Sequence, residues 1–306
     1  MSALEEGSSS IRSDTERRPG KDVWTVLALL QWTTEHFTQQ GIETARLDAE
    51  CLLAHALRVP RLRLYVDFDK PVTPAERSAF RALVIRRARE RIPVSLLLGV
   101  KEFWSMELLV TKEVLTPRPD SETLVQAALD RFPEKEAPLR VLDLGTGSGA
   151  IALAIAAERP HSVITATDNM QEALKIAQQN AERHEKADRI RFVLGDWLIP
   201  VRGEHFDLVV SNPPYVAESE RAGLPPELAH EPEQALFAGP DGLAALRILV
   251  RDIPEVLAPG GAFALELAPQ QATRVAEGCR KTGFEDVTLH RDLAGRSRVV
   301  SGRGKA

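Results

Sequence analysis

This chain of 306 residues has few cysteines and no excess of positive charge, and both features exclude classes of protein. Its only cysteines, Cys51 and Cys279, are too few for a disulfide framework and fit a reducing cytosol. The seven histidines are scattered along the chain, so we predict no bound metal. The formal charge is −5. A protein that neutralises duplex phosphates is usually basic, so we expect no stable binding of nucleic acid.

Signals for membranes and export are also missing. No long uncharged apolar run occurs, so we expect no membrane-spanning helix and no membrane partner. The N-terminus is acidic and rich in serine, and it lacks the basic and apolar regions of a signal peptide. These features predict a cytoplasmic protein. Residues 1–20 are polar and are predicted to form a disordered tail.

The remaining length predicts one large and one small domain. Residues 21–92 have a helical pattern, and the capping box Thr73-Pro74-Ala75-Glu76 marks a helix start within them. Residues 93–116 alternate as a β-hairpin does and would link the two domains. From residue 117 to 306, strands alternate with helices, which predicts an α/β domain with a mostly parallel sheet. Residues 284–302 predict a closing antiparallel hairpin.

Asn212-Pro213-Pro214-Tyr215 follows the apolar run of residues 206–211. Two prolines remove two donors from a strand ladder, so the motif predicts a stiff turn at the carboxyl end of a strand. Its outward groups are an amide, backbone carbonyls and an aromatic ring. Such a set suits a flat group that bears an NH2, because acceptors hold the hydrogens while the ring covers the face. A loop interrupted by two prolines is the alternative.

A glycine-rich segment lies about seventy residues upstream. The apolar run of residues 139–142 leads into Asp143-x-Gly145-x-Gly147-x-Gly149 and then into a helical pattern. Glycine allows a tight turn and the close approach of a ligand. The next apolar stretch ends in Asp168, a carboxylate placed to accept both ribose hydroxyls of a nucleoside.

A third strand runs into Asp196 and Trp197, which could bind an adenine amino group and stack on its ring. Trp197 could instead be a core aromatic. Gly145-x-Gly147-x-x-Ala150, with Asp168 downstream, also satisfies the dinucleotide fingerprint of dehydrogenases. We favour the glycine loop of AdoMet-dependent methyltransferases, because a hydride-transfer enzyme has no use for Asn-Pro-Pro-Tyr at the end of the fourth strand.

Together these motifs resemble the protein glutamine methyltransferases of the HemK family. The shared features are Asp-x-Gly-x-Gly-x-Gly, the acidic end of strand two, Gly-Asp-Trp and Asn-Pro-Pro-Tyr. Residues 99–104 and 116–122 are similar to the linker of the branch that modifies class I peptide chain release factors. The resemblance runs from about Asp48 to the C-terminus. Asn-Pro-Pro-Tyr alone is also found in adenine and cytosine amino-methyltransferases.

The resemblance implies a Rossmann-like class I methyltransferase domain, with a seven-stranded sheet whose last strand is antiparallel. It implies methyl transfer from S-adenosyl-L-methionine, giving S-adenosyl-L-homocysteine, to the side-chain nitrogen of the glutamine in a Gly-Gly-Gln motif. The implied cofactor-binding residues are Asp143, Gly145, Thr146, Gly147, Ser148, Gly149, Asp168, Asp196, Trp197 and Asn212. The implied catalytic and substrate-binding residues are Asn212, Pro213, Pro214 and Tyr215.

Other functions stay open at the level of sequence. A glutamine methyltransferase acting on a ribosomal protein ranks second, because Pro117-Arg118-Pro119-Asp120 is typical of the release-factor branch. An enzyme acting on a nucleic-acid base would ordinarily carry a base-recognition domain and basic grooves. A catalytically silent AdoMet-binding protein would have no need of Asn-Pro-Pro-Tyr.

Residues 216–242 contain little apolar periodicity and follow Tyr215 directly. A loop of this length in a compact domain is usually functional. We predict a lid or a substrate-docking segment, which Glu231 could help to order.

Overall fold

The computed structural model describes residues 23–305, so the predicted tail of residues 1–20 lies outside the described part. The chain divides into two compact units, of which the first ends at Glu90 and the second begins at Arg91. None of the helices within residues 23–305 is long and apolar enough to cross a membrane.

The first unit is helical. Its helices are α1 (Val26–Gln39), α2 (Ala45–Leu57), α3 (Arg63–Val66) and α4 (Pro74–Arg89). The predicted capping box is confirmed, since the Glu76 N–H donates to the Thr73 hydroxyl at 3.3 Å and the Thr73 N–H donates to the Glu76 carboxylate at 2.9 Å. A buried ion pair of 2.7 Å between Asp48 and Arg87 joins α2 to α4.

The second unit alternates helices and strands. In chain order its elements are α5 (Val94–Leu98), β1 (Val100–Phe103), β2 (Met106–Leu109), α6 (Glu122–Asp130), β3 (Arg140–Leu144), α7 (Ala150–Glu158), β4 (Val163–Asp168), α8 (Gln171–Arg183), β5 (Ile190–Leu194), β6 (Phe206–Ser211), α9 (Glu233–Leu236), α10 (Ala244–Asp252), β7 (Leu257–Glu266), α11 (Ala272–Thr282), β8 (Glu285–Arg291) and β9 (Ser297–Arg303).

Seven strands form one sheet in the order β5-β4-β3-β6-β7-β9-β8. The pairs among β5, β4, β3, β6 and β7 are parallel, whereas β9 runs antiparallel between β7 and β8. The predicted fold class, with its antiparallel last strand, is therefore confirmed. The predicted hairpin near the C-terminus is the β8–β9 pair.

Side chains of alternating strand positions build a core on each face of the sheet. On one face Val141 and Val210 pack with α6 and α7, and on the other Leu142 and Val209 pack with α10 and α11. Helix α7 is buried from Ala150 to Ala156, which explains its apolar composition all round.

The predicted hairpin of residues 93–116 is shorter in the structure. Strands β1 and β2 pair antiparallel only between Val100 and Leu109. A short helix, α5, comes first, because Pro93 fixes the backbone at its N-cap and Gly99 ends it with φ +74°.

Candidate active site

The carboxyl ends of β3, β4, β5 and β6 meet at one edge of the sheet. The chain proceeds outward from β3 to β4 and β5, and then returns to β6 on the other side of β3. Ligands of open α/β sheets bind outside such a switch point. A cavity lies at this edge, and the predicted site residues among its lining are Gly145, Thr146, Gly147, Ser148, Asp168, Asp196, Trp197, Asn212, Pro213 and Pro214.

Three predicted site residues do not line this cavity. Asp143 is fully buried under the glycine loop, where it accepts a 2.7 Å hydrogen bond from the Thr146 hydroxyl, and burial raises its pKa to about 7. Gly149 is the N-cap of α7 with φ +81°, and a Cβ there would lie 3.2 Å from the Cβ of Ala177. Tyr215 lies behind the corner and is described below.

The glycine loop is held by backbone hydrogen bonds to the end of β4. The N–H of Thr146 donates to the carbonyl of Thr167 at 2.9 Å, and the N–H of Gly147 donates to Asp168 Oδ2 at 2.9 Å. Gly145 and Gly147 have φ of +69° and +55°, which side chains with a Cβ rarely adopt. The loop therefore presents bare backbone to the cavity.

The Asp168 carboxylate forms hydrogen bonds with two loops, the one that follows β4 and the glycine loop. Besides Gly147, it accepts the N–H of Met170 on Oδ1 at 2.9 Å. Burial raises the pKa of Asp168, although these backbone donors act in the opposite direction. Each carboxylate oxygen has lone-pair capacity for a second donor, so the group can still receive hydroxyls from a ligand.

Trp197 adopts an unusual backbone conformation at the cavity. Its φ is +45°, a genuine outlier for a bulky residue and a conformation that clusters at functional sites. Its ring lies against the glycine loop, since a Cβ at Gly145 would be 3.8 Å from Cζ3 of Trp197. Glycine at 145 thus leaves room beside the ring.

The Asn-Pro-Pro-Tyr corner begins where β6 ends. The Ser211 hydroxyl donates to the Leu144 carbonyl at 2.7 Å, which ties this end of β6 to β3. The Asn212 Nδ2 donates to the Ser121 hydroxyl oxygen at 3.0 Å, whereas Asn212 Oδ1 is buried without a partner in the part of the chain that the structure describes. A buried acceptor is nearly always satisfied, so this oxygen indicates a place for a ligand's donor.

Tyr215 turns its hydroxyl away from the cavity. The hydroxyl donates to Glu266 Oε1 at 3.2 Å, and the ring packs against the core beneath the corner. Burial raises the pKa of Tyr215, and the nearby Glu266 carboxylate adds to this effect. Tyr215 therefore acts here as a support of the corner, and its contact with a planar amide stays a prediction.

Asn180 on α8 is a supporting residue that the sequence analysis did not find. Its amide accepts the N–H of Leu109 at 2.7 Å and donates to the Leu109 carbonyl at 3.0 Å and to the Ser148 carbonyl at 2.9 Å. It is fully buried, between Ala177 and Ala181 on the apolar side of the helix. A polar residue among the apolar positions of α8 was the feature of the sequence that could have indicated a buried supporting role.

The segment from Val216 to Gly242 is folded over one side of the site. It contains two short 3-10 helices and α9, and Gln234 and Ala235 line the cavity. Glu231 is buried and forms an ion pair of 2.6 Å with Arg118, so it fastens the segment to the stretch before α6.

Within residues 23–305, no group of three or more His, Cys, Asp or Glu side chains is arranged to hold a metal ion.

Two family models match the chain. Residues 28–99 match the PrmC N-terminal domain, and residues 121–241 match the methyltransferase small domain. Among solved structures, the catalytic domain of hMettl16 in complex with MAT2A 3'UTR hairpin 1 is 16% identical with a TM-score of 0.52, covering 76% of this chain and 80% of that chain. This likeness shows the fold alone.

Relatives at higher identity extend over most of the chain. The release factor glutamine methyltransferase of Geobacter sulfurreducens is 42% identical over 283 residues, which is 92% of this chain and 98% of the relative. The protein of the same name from Escherichia coli is 39% identical over 273 residues, which is 89% of this chain and 97% of the relative. The chain belongs to the release factor glutamine methyltransferase family.

Proposed function

We propose that this protein transfers the methyl group of S-adenosyl-L-methionine to the side-chain nitrogen of the glutamine in the Gly-Gly-Gln motif of class I peptide chain release factors. The observation that carries the proposal is the buried, unpartnered Oδ1 of Asn212, a residue that lines the cavity. An acceptor in that place suits an NH2 group as the incoming donor. The resemblance implies a cytoplasmic reaction.

The cavity fits an adenosyl ligand on the chemistry of its walls. Bare backbone at Gly145 and Gly147 leaves room for close approach, and Asp168 can accept a ribose diol. Asp196 and Trp197 supply an acceptor and an aromatic face for adenine. When bound, the cofactor supplies a methyl group that its sulfonium already activates, and S-adenosyl-L-homocysteine remains.

The substrate nitrogen is the difficult partner in this reaction. Its lone pair is delocalised into the carbonyl, and its pKa is too high for deprotonation by a side chain. We assign Asn212 Oδ1 and the Pro213 carbonyl as the acceptors that hold the two N–H groups and orient the nitrogen. Positive charge develops on nitrogen in the transition state, and these oxygen dipoles stabilise it. The methylated nitrogen then releases one of its two protons to water, which leaves the neutral N-methyl amide. The proposed chemistry requires neither a covalent enzyme intermediate nor a metal.

We propose different roles for the parts of the chain. We propose that residues 117–306 carry the chemistry, that residues 21–92 help to grip the protein substrate, and that residues 93–116 link them. A ribosomal-protein glutamine is the second candidate substrate, and a nucleic-acid base is the third. Relatives named for release factors and a formal charge of −5 support this order.

Transfer of a tritiated methyl group from S-adenosyl-L-methionine tests the proposal. A purified release factor, a ribosomal protein and DNA are offered in parallel, with a release factor whose Gly-Gly-Gln glutamine is replaced by alanine as control. We expect label on the intact release factor and none on the control. Label on DNA alone would overturn the proposal.

A further inference from the structure

Two buried polar side chains, Ser121 and Glu266, form hydrogen bonds with the Asn-Pro-Pro-Tyr corner. Ser121 ends a 3-10 helix just before α6 and is 3% exposed, and Glu266 ends β7 and is 1% exposed. In the parallel register of β6 and β7, Leu265 is the partner of Ser211. Glu266 therefore stands level with Asn212, one position further along each strand.

These two residues contact both polar members of the corner. Ser121 accepts from Asn212 Nδ2 at 3.0 Å, and Glu266 accepts from the Tyr215 hydroxyl at 3.2 Å. Asn212 therefore donates to Ser121, and Tyr215 donates to Glu266.

The direction of these bonds decides which end of the Asn212 amide faces the cavity. A serine hydroxyl can donate to or accept from an asparagine amide. Here Ser121 accepts from the NH2 of Asn212 at 3.0 Å, and Asn212 Oδ1 is left without a partner among the residues that the structure describes. The opposite orientation would set an NH2 of Asn212 against the NH2 of the substrate.

Ser121 is itself held in place. The neighbouring Asp120 forms ion pairs of 2.9 Å with Arg298 and 3.1 Å with Arg296, which fix this stretch to the C-terminal strands. The partner of Asn212 therefore has a fixed position, and so does the amide that it orients.

We propose that Ser121 and Glu266 are positioning residues, which act through Asn212 and Tyr215 to keep the Asn212 oxygen directed at the substrate nitrogen. This inference rests on the proposed function, because it explains why that oxygen is free. Ser121 lines the cavity beside Asn212, whereas Glu266 is not among the lining residues and contacts Tyr215.

Kinetics of single and double variants test the inference. We expect Ser121→Ala to lower kcat by about 10-fold or more while the Kd for S-adenosyl-L-methionine changes by less than about 3-fold. Glu266→Ala, which removes the acceptor of the Tyr215 hydroxyl, should lower kcat in the same way. Ser162→Ala is the matched control, since Ser162 is a fully buried serine that donates to the Arg159 carbonyl, and it should leave kcat unchanged.

The double variant separates positioning from general support. If Ser121 acts through Asn212, Ser121→Ala combined with Asn212→Ala should be no slower than Asn212→Ala alone, because the group to be oriented is already gone. Multiplying losses would overturn the inference.

A readout independent of activity distinguishes this inference from the proposed function. In the nitrogen-15 spectrum of the whole protein, the Asn212 side-chain NH2 should exchange slowly with solvent in the wild type and at least about 10-fold faster in Ser121→Ala, since a hydrogen bond is lost. Equal exchange rates would overturn the positioning role. Absence of methyl transfer by the wild type, with altered exchange in the variant, would overturn only the proposed function.

Discussion

The backbone N–H of Gly147 donates a 2.9 Å hydrogen bond to the carboxylate of Asp168. The glycine loop and the end of β4 are thereby joined in the protein itself. One carboxylate both fixes the shape of the loop and is the proposed acceptor of the ribose hydroxyls, so removing its side chain affects both functions.

Asp168→Ala should therefore weaken binding of S-adenosyl-L-methionine by about 100-fold or more, because a charged acceptor and the anchor of the loop are lost together. Isothermal titration calorimetry measures the change. Asp168→Asn keeps one acceptor oxygen and should lose less. Tight binding of NADH to the wild type would contradict the methyltransferase assignment and favour a dehydrogenase.

Asn212→Ala should lower turnover by about 100-fold or more, as the loss of a preorganised polar group at a reacting centre does. Binding of S-adenosyl-L-methionine should fall far less. Methyl transfer and calorimetry on the same preparation provide the two values. Asn169→Ala, at another asparagine on the cavity wall, should keep most of the turnover. Equal losses of turnover and cofactor affinity in Asn212→Ala would indicate a structural or cofactor role.

Gly242→Ala should destabilise the protein severely. The φ of Gly242 is +70°, and a Cβ there would lie 2.3 Å from the Tyr215 carbonyl oxygen and 2.8 Å from Gln271 Nε2. Both neighbours are fixed, because Gln271 Nε2 donates to that carbonyl at 2.9 Å. We expect a loss above about 3 kcal/mol in the free energy of unfolding by urea.

Gly295→Ala is the control for that substitution. Gly295 has φ +77° with open space around it, so alanine there should cost only the backbone strain of about 1–2 kcal/mol. Equal costs at the two positions would show that contact with Tyr215 and Gln271 contributes nothing.

The stability of the protein should fall as pH rises from about 4.5 to about 7. Burial raises the pKa of Glu266 from 4.5 to about 7, against the opposing effects of the Ser121 and Tyr215 hydroxyls and Arg298, while Asp120 raises it further. Between these pH values the folded state binds the proton more tightly than the unfolded state. This stabilisation is complete below the unfolded pKa and is lost as pH passes the folded one.

Urea unfolding at pH 5 and pH 8 measures this effect. In Glu266→Gln the free energy of unfolding should fall less between pH 5 and pH 8 than in the wild type. The difference should be about 3 kcal/mol, which corresponds to the shift in the pKa of Glu266. Asp143, whose pKa is also raised to about 7, should keep part of the decrease in that variant. An unchanged pH dependence would show that Glu266 does not titrate as described.

Arg118→Ala should loosen the segment of residues 216–242, because it leaves the buried Glu231 carboxylate without its cation. Limited proteolysis should cut that segment faster than in the wild type. Arg221→Ala is the matched control on the same segment, since its partners Glu218 and Glu233 are exposed and such pairs contribute little. Equal protection in Arg118→Ala and the wild type would contradict the role of the ion pair.

Much of the fold and part of the site could be predicted from short stretches of sequence. The conformational effect of a glycine or a proline falls on its own backbone. The turns at Gly145, Gly147 and the two prolines could therefore be predicted from the local sequence. The mostly parallel sheet and the closing antiparallel hairpin were also predicted, because strands that alternate with helices restrict the topology. The predicted extent of the hairpin at residues 93–116 was wrong, since Pro93 and Gly99 bound a helical turn.

The supporting residues could not be predicted in this way. Ser121 meets Asn212 across 91 positions of the chain, and Glu266 meets Tyr215 across 51. Such pairs depend on how strands and helices are assembled, which no local pattern encodes. Asp143 illustrates the same limit. Its place in the motif predicted a cofactor-binding residue, whereas in the structure it is buried under the glycine loop.

Asn180 binds both the N–H and the carbonyl of Leu109, as a neighbouring strand would, and also the carbonyl of Ser148. The hairpin that precedes the catalytic domain and the backbone of the glycine loop thus share one buried amide. A displacement of the hairpin would move Asn180, and with it the bond that Asn180 donates to the glycine loop at Ser148. The β1–β2 hairpin, which belongs to the second unit, therefore helps to support the candidate site.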